Sequence, residues 1–294
     1  MEKCIITDQV DDDLECALKQ IRDKGIHCVE LHNVYGKSIE ACSDEEIKQI
    51  KQLLDAYGMK VSSIASTIFF LCPLYESDQV SLFNPAFYTI EGEADAHLAY
   101  ARRACRIAKK LGASVVRSFP FRAPDNRKGP FGTPADYEKI VANMRRLAQV
   151  GEQEGVVFAV ENCPYSHLPK GEMTLKLIKE VDSPYIRLLW DPANSYRAEK
   201  KQVPDQYKTW SLLDEARELL PYIHHVHLKN YVYDETCEKP FVHVPFLDGD
   251  IDFVPILEYL KDHGYAGTVS LEPEVDHEDA LRCIDELNAL NDLS

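Results

Sequence analysis

The sequence has no paired cysteines. Its nine cysteines lie singly at positions 4, 16, 28, 42, 72, 105, 163, 237 and 283, with no Cys-x-x-Cys spacing. That pattern argues against a disulfide framework and against a cysteine-only zinc site, and it suits a reducing cytosol. No apolar run approaches the roughly 18–20 residues of a membrane span. The opening MEKCIITDQVDDD has no basic stretch leading into an apolar one, so no secretory signal is read there and the cytoplasm is the expected location. Basic residues are scarce relative to acidic ones: Lys and Arg number 33 against 49 Asp and Glu, a net charge of −16 over 294 residues. A polyanion would meet an opposing field, which argues against nucleic acid as a partner. There is no linker, low-complexity tract or composition shift, so residues 1–294 read as a single domain. With 45% hydrophobic residues the chain is too apolar to stay disordered.

What is present is alternation. Eight short stretches rich in β-branched, aromatic and other apolar residues read as strands: Lys3–Thr7, His27–Leu31, Lys60–Ser66, Ser114–Ser118, Val156–Glu161, Tyr185–Trp190, Ile223–Lys229 and Thr268–Glu272. Eight amphipathic stretches follow them in turn: Asp12–Lys24, Ser43–Tyr57, Ala94–Leu111, Thr133–Glu152, Glu172–Val181, Ser211–Leu220, Asp252–His263 and Asp276–Leu290. Ser43 with Glu46 three residues on has the form of a capping box. Gly25, Gly58, Gly112, Gly155 and Gly264 stand where helices should stop. Strict alternation implies parallel strands with crossover helices, and eight units in about 250–300 residues predict an α/β fold, a (β/α)8 TIM barrel. A doubly wound dinucleotide fold would place glycines after the first strand, where ITDQVDDD has none. Two loops after strands are long: the aromatic-rich 67–93, and 119–134 with Arg122, Arg127 and Lys128. Both fall on the face where barrel sites form, and read equally as cover for a site or as surface decoration.

Four consecutive strands, the fifth to the eighth, end in groups able to ligate a cation. They are Glu161 in AVEN, Asp191 in LLWDPAN, His227 in HHVHLKN and Glu272 in VSLEPE. His225 shares a face with His227, but His227 lies nearer the mouth and is the chosen ligand. Taken singly, each has a mundane reading as a solvated strand end, a turn opener or a satisfied core histidine. Repetition of the same position in successive units favours a metal site. Three carboxylates and one imidazole suit Mn²⁺ first, or Mg²⁺, with Co²⁺ and Zn²⁺ acceptable.

These motifs, with DGDIDF between the last two, resemble the xylose-isomerase-like TIM barrel superfamily. That superfamily holds sugar isomerases and epimerases, inosose dehydratases, ketose 3-epimerases and endonuclease IV. The resemblance runs from about Gly25 to about Leu290 and implies that Glu161, Asp191, His227 and Glu272 hold one metal. Where the family often has a histidine three residues after the aspartate, this chain has Asn194. The third and fourth strands end in IAST and VVRSF, without the histidines of a trinuclear zinc nuclease.

The implied chemistry is proton transfer beside a carbonyl, which needs a base, an acid and a Lewis acid. Glu161 and Glu272, from different sides of the mouth, are the expected catalytic pair for a sugar isomerase or epimerase. A dehydratase or other lyase acting on a keto-cyclitol or keto-glycoside would use the same four residues. Substrate contacts are expected from Asn194, Lys229, His243, Arg197 and Glu30, with Glu30 open to a second role as a carboxylate inside the barrel. Arg117 points into or out of the barrel depending on register, and inside it would need a partner. The loop after the eighth strand, EPEVDHED, is dense in carboxylates and lacks glycine, so the substrate is expected to be unphosphorylated. Barrels of this type often pair through their helices, which leaves a homo-oligomer open, although no patch marks it.

Overall fold

The eight predicted strands hydrogen-bond in chain order and close on themselves. They are β1 (Glu2–Ile6), β2 (Cys28–Leu31), β3 (Lys60–Ile68), β4 (Val115–Ser118), β5 (Val157–Glu161), β6 (Ile186–Trp190), β7 (Ile223–Leu228) and β8 (Thr268–Leu271). Every neighbouring pair is parallel, including β8 with β1. This computed structural model describes residues 1–81, 87–201 and 203–290. Residues 82–86 of the long loop after β3 therefore lie outside the described residues.

The helices are α1 (Leu14–Asp23), α2 (Asp44–Tyr57), α3 (Ala94–Leu111), α4 (Pro134–Glu154), α5 (Gly171–Val181), α6 (Pro192–Lys201), α7 (Leu212–Leu219), α8 (Val254–Asp262) and α9 (His277–Ala289). The capping box at α2 is formed: the Glu46 N–H donates to Ser43 Oγ at 3.2 Å and the Ser43 N–H to Glu46 Oε2 at 2.7 Å. Gly58 and Gly155 close α2 and α4 at φ 66° and 67°, left-handed values that disfavour a side chain.

Three features depart from the expected alternation, the smallest being a two-residue antiparallel ladder of Asn33–Val34 with Lys37–Ser38 after β2. α6 is an additional helix directly after β6, where a turn was one reading of Asp191-Pro192. Its sequence PANSYRAEKK carries no continuous apolar stripe, so period alone could not show it. A β-hairpin, Asn230–Tyr233 with Phe241–Val244, stands on the loop after β7. Among the described residues, no helix is long and apolar enough to cross a membrane, and all nine cysteines are unpaired.

Outward strand residues such as Val116, Phe158, Val160, Leu188, Trp190 and Val226 join Ile107, Met144, Leu147, Leu177 and Leu219 of the helices in one core. Each such buried side chain stabilises the fold by roughly 1.5–3 kcal/mol. Alternation sends the intervening residues inward. Val115, Ala159 and Leu189 make a small apolar cluster of their own inside the barrel. Two positions further along their strands come Arg117, Glu161 and Asp191, so the apolar layer floors a polar one.

Candidate metal centre

Glu161 is the last residue of β5. Asp191 follows β6 and caps α6, its Oδ1 accepting the Asn194 N–H at 2.8 Å. His227 lies on β7, and the Glu272 N–H, just past β8, donates to Leu228 O at 3.0 Å. None of the four side chains is more than slightly exposed. One ligating atom from each lies within 4.8 Å of those of the others.

The donor set fits a divalent cation. His227 Nδ1 is buried with no hydrogen-bond partner, and it faces Glu272 Oε2 at 3.3 Å and Glu161 Oε2 at 3.9 Å. Asp191 Oδ2 likewise has no hydrogen bond, only an ion-pair contact with Lys229 Nζ at 3.1 Å. Carboxylate oxygens and an imidazole nitrogen converging on one point from four strands are what a cation would satisfy.

Three carboxylates so close need positive charge, and two side chains supply it. Arg117 Nη1 lies 3.2 Å from Glu161 and 2.8 Å from Glu272, with its remaining donors on the carbonyls of Ala65 and Ser66. Arg117 thus points inward, the register question left open by the sequence. Lys229 Nζ contacts Asp191, Glu272 (2.8 Å) and Glu274 (3.1 Å). Burial pushes the Glu161 carboxyl up, and the neighbouring Glu272 adds to this, taking it to about 7. Burial acts on Glu272 in the same sense, but Lys229, His227 and Arg117 outweigh it and hold Glu272 well below the usual carboxylate range. Burial opposes the charge on His227, yet Glu30 and Glu272 lift its pKa to about 10. Of the two glutamates, Glu272 carries the charge and Glu161 exchanges a proton near neutral pH.

The other predicted residues fall in three places. Asn194 joins the ring, its Nδ2 donating to Glu161 Oε1 at 2.9 Å, and Lys229 sits against it as described. Arg197 and His243 lie on the rim. The Arg197 guanidinium stands over the rings of Tyr165, Tyr231 and Phe241, at 4.9, 5.8 and 5.0 Å from their centroids, and donates to Tyr165 Oη at 2.7 Å. His243 belongs to the hairpin and reaches Glu274 at 3.4 Å. Glu30 lies on the far side of His227 from the ring carboxylates. It is fully buried, and its contacts are the protein groups Ser63, His225 and His227. Of its two sequence readings, the position is that of the carboxylate inside the barrel. Asn162 fixes the Asp191 backbone, donating to its carbonyl at 2.8 Å and accepting its N–H at 2.9 Å.

An aromatic wall of Phe70, Phe119 and the partly buried Phe87 stands beside the ring, with Arg117 Cζ 5.1 Å from the Phe119 centroid. The two long loops are joined. The Asp125 N–H donates to Gln79 O at 2.8 Å, Asp125 accepts from Ser81, and Arg127 Nε reaches Asp78 at 3.1 Å. At the opposite end of the barrel a cavity of about 950 Å³ opens beside Lys60, Ser114, His224 and Tyr265, and the ring residues do not line it.

A closed eight-stranded barrel with a carboxylate–imidazole ring at the C-terminal ends of its strands defines a class of candidate metalloenzyme scaffolds. The family model for xylose isomerase-like TIM barrels matches residues 18–293, and the chain belongs to that family. An inosose dehydratase of Yersinia enterocolitica is 26% identical over 162 residues, covering 50% of this chain and 51% of that protein. The chain thus spans about half the length of the curated relatives it matches. A solved structure of IOLI protein with a binding zinc atom has a TM-score of 0.71 at 15% identity, covering 100% of this chain and 99% of that one. The 3-keto-D-glucoside 4-epimerase YcjR of E. coli has a TM-score of 0.69 at 16% identity, covering 99% of each chain. At these identities the two solved structures share the barrel fold with this chain.

Proposed function

We propose that the chain is a divalent-metal-dependent isomerase or epimerase of an unphosphorylated sugar or keto-sugar. The observation that carries the proposal is the convergence of Glu161, Asp191, His227 and Glu272, with ligating atoms within 4.8 Å of one another. A divalent cation bound there, Mn²⁺ in the first place, would polarise the substrate carbonyl and stabilise the developing enolate oxygen.

The chain's own residues supply the proton movements. Epimerisation takes a proton from one face of the carbon beside the carbonyl and returns one to the other face. Glu161 and Glu272 come from β5 and β8 and serve as the two carboxyl groups. Asn194, 2.9 Å from Glu161 Oε1, holds that side chain in place. Lys229, already against Asp191 and Glu272, would bind a substrate hydroxyl. Arg197 and His243 would form the rim around the sugar. The partner is a small molecule rather than a nucleic acid, in keeping with the net charge of −16. Glu274, Asp276, Glu278 and Asp279 after β8 would repel a phosphate.

The curated inosose dehydratase match favours a second reading, a lyase that forms the same enolate and then expels a hydroxyl. One experiment tests both. Free ketoses and inososes are incubated with Mn²⁺-loaded protein in deuterated water. An epimer bearing deuterium beside the carbonyl, with no loss of water, is the expected product. An enone or deoxy-keto product would establish the lyase instead. Glu161→Gln and Glu272→Gln should each lower turnover by about 10²–10⁴-fold without unfolding the chain. Near-normal activity in either variant would refute its assigned role, and no exchange on any substrate would refute the proposal.

A further inference from the structure

The polar interior below the ring holds a second cluster, Glu30, His225 and His227, which shares His227 with the ring and whose other two members the proposed reaction does not use. We infer that Glu30 is a positioning residue for the metal centre: its carboxylate fixes His227 so that Nδ1 presents a lone pair to the ring. The inference rests on the reading of the ring as a metal site.

Glu30 is fully buried at the end of β2. Its Oε1 lies 2.5 Å from His225 Nε2 and 3.2 Å from His227 Nε2, and its Oε2 accepts from Ser63 Oγ at 2.5 Å. Three contacts from two strands, β3 and β7, therefore set the plane of the carboxylate. An ionised carboxylate only accepts, so the imidazole nitrogen facing it carries a hydrogen.

A cation in the ring would displace the second proton that Glu30 and Glu272 hold on His227, and the neutral imidazole so formed has two ring flips and two tautomers. Flipping the ring exchanges Nδ1 with Cδ2 and Nε2 with Cε1. Of the four arrangements, one places an N–H on Glu30 and a lone pair toward the ring. His227 has the ring flip that this arrangement requires. Its Nε2 faces Glu30, and its unpartnered Nδ1 faces Glu272 and Glu161. A hydrogen-bonded carboxylate behind a ligating histidine locks ring orientation and raises donor strength, and losing such a partner costs about 10–100-fold in metal affinity.

A histidine merely satisfied in the core would need only one acceptor, and a backbone carbonyl would do. Here a carboxylate is taken fully out of water, an expensive choice unless its donors are fixed. His225, on the same face of β7, is the second donor that holds Glu30 in place.

The test uses the full chain, stripped with chelator and titrated with Zn²⁺ against a chromophoric competitor. The wild type is expected to take up one equivalent. Glu30→Gln should bind about 10–100-fold more weakly while its circular dichroism and melting profile stay those of a folded barrel. In Zn²⁺-loaded wild type labelled with ¹⁵N-histidine, the metal is expected on Nδ1 of His227 and the proton on Nε2. Tight binding by the wild type with unchanged affinity in Glu30→Gln would overturn the inference alone. No binding by the wild type would overturn the metal-site reading beneath it. Two equivalents in the wild type and one in the variant would make Glu30 a ligand of a second cation and overturn the positioning role. If Glu30→Gln does not fold, the labelled wild-type spectrum decides, and zinc on Nε2 overturns the inference.

Discussion

Arg117 on β4 reaches across the barrel interior to Glu272 beyond β8, its Nη1 2.8 Å from the carboxylate Oε1. The same nitrogen lies 3.2 Å from Glu161. Both glutamates are buried, so removing the guanidinium strands two carboxylates. Arg117→Met should destabilise chelator-treated protein by about 3–5 kcal/mol, the usual effect of breaking a buried pair. A divalent cation would replace the missing charge. Its addition should therefore raise the urea midpoint of the variant more than that of the wild type. Equal shifts in the two proteins would show that the cation does not replace the Arg117 charge, and no shift in either would show that the ring does not take it up.

Lys229 is a second cation against the same oxygens, 3.1 Å from Asp191 and 2.8 Å from Glu272. Its ammonium would repel a metal in the ring. Lys229→Met is expected to tighten metal binding about tenfold, corresponding to ~1.4 kcal/mol of relieved repulsion. Turnover should fall at the same time, because the proposed hydroxyl contact would be lost. Weaker metal binding in this variant would show that the lysine organises the ring instead of competing for it.

Acid sensitivity should arise at His97, behind the loop that follows β3. Its Nδ1 accepts the Phe69 N–H at 2.9 Å, and Phe69 has a left-handed backbone, φ 63°. Burial pushes the His97 pKa down from 6.5 to about 4. Between those values the unfolded chain binds more protons than the folded one, so stability falls as pH drops through that window. Full passage through it costs about 3 kcal/mol. Glu161 and Glu215, lifted to about 7 by burial, act in the opposite sense over the same window, so the measure is a difference: from pH 7 to pH 4.5 the urea midpoint of the wild type should fall relative to that of His97→Gln. His167, also pushed down to about 4 by burial, contributes in the same direction. An equal slope in the His97 variant would rule this histidine out as a source.

Asp125 ties the two long loops together, accepting from the Ser81 N–H at 2.8 Å as well as from its hydroxyl. Asp125→Ala should speed amide hydrogen exchange at Ser81 by about tenfold, since a lost hydrogen bond costs on the order of 1 kcal/mol. The barrel amides should be unaffected. Unchanged exchange at Ser81 would mean that other contacts hold the loop.

The sequence disclosed the strands and the residues that end them because each unit repeats the same grammar. A β-branched or aromatic run is followed by a polar residue, and a glycine closes the preceding helix, as at Gly58 and Gly155. The positions of Glu161, Asp191, His227 and Glu272 follow from that grammar alone. Contacts made across the barrel do not. Whether Arg117 faces inward depends on pairing with β3, where the register shifts between Ile64 and Ile68. That Glu30 meets His225 and His227 depends on closure, which brings β2 and β7 to within two intervening strands. Arg197 was legible as a charge near the mouth, but its bed of Tyr165, Tyr231 and Phe241 is assembled from three separate segments. α6 stayed hidden because PANSYRAEKK has no apolar period, although its start, with Asp191 as cap and Pro192 at the first helical position, is a local signal.

That double duty of Asp191 gives the mouth a mechanical property. One carboxyl oxygen anchors the first turn of α6 and the other points into the ring. Asn194 and Arg197 ride on that same helix, one touching Glu161 and the other lying among the rim aromatics. A cation drawing on Asp191 from inside the barrel would therefore bear on the helix that carries the sill as well, so that loading the centre and shaping its doorway would be one event.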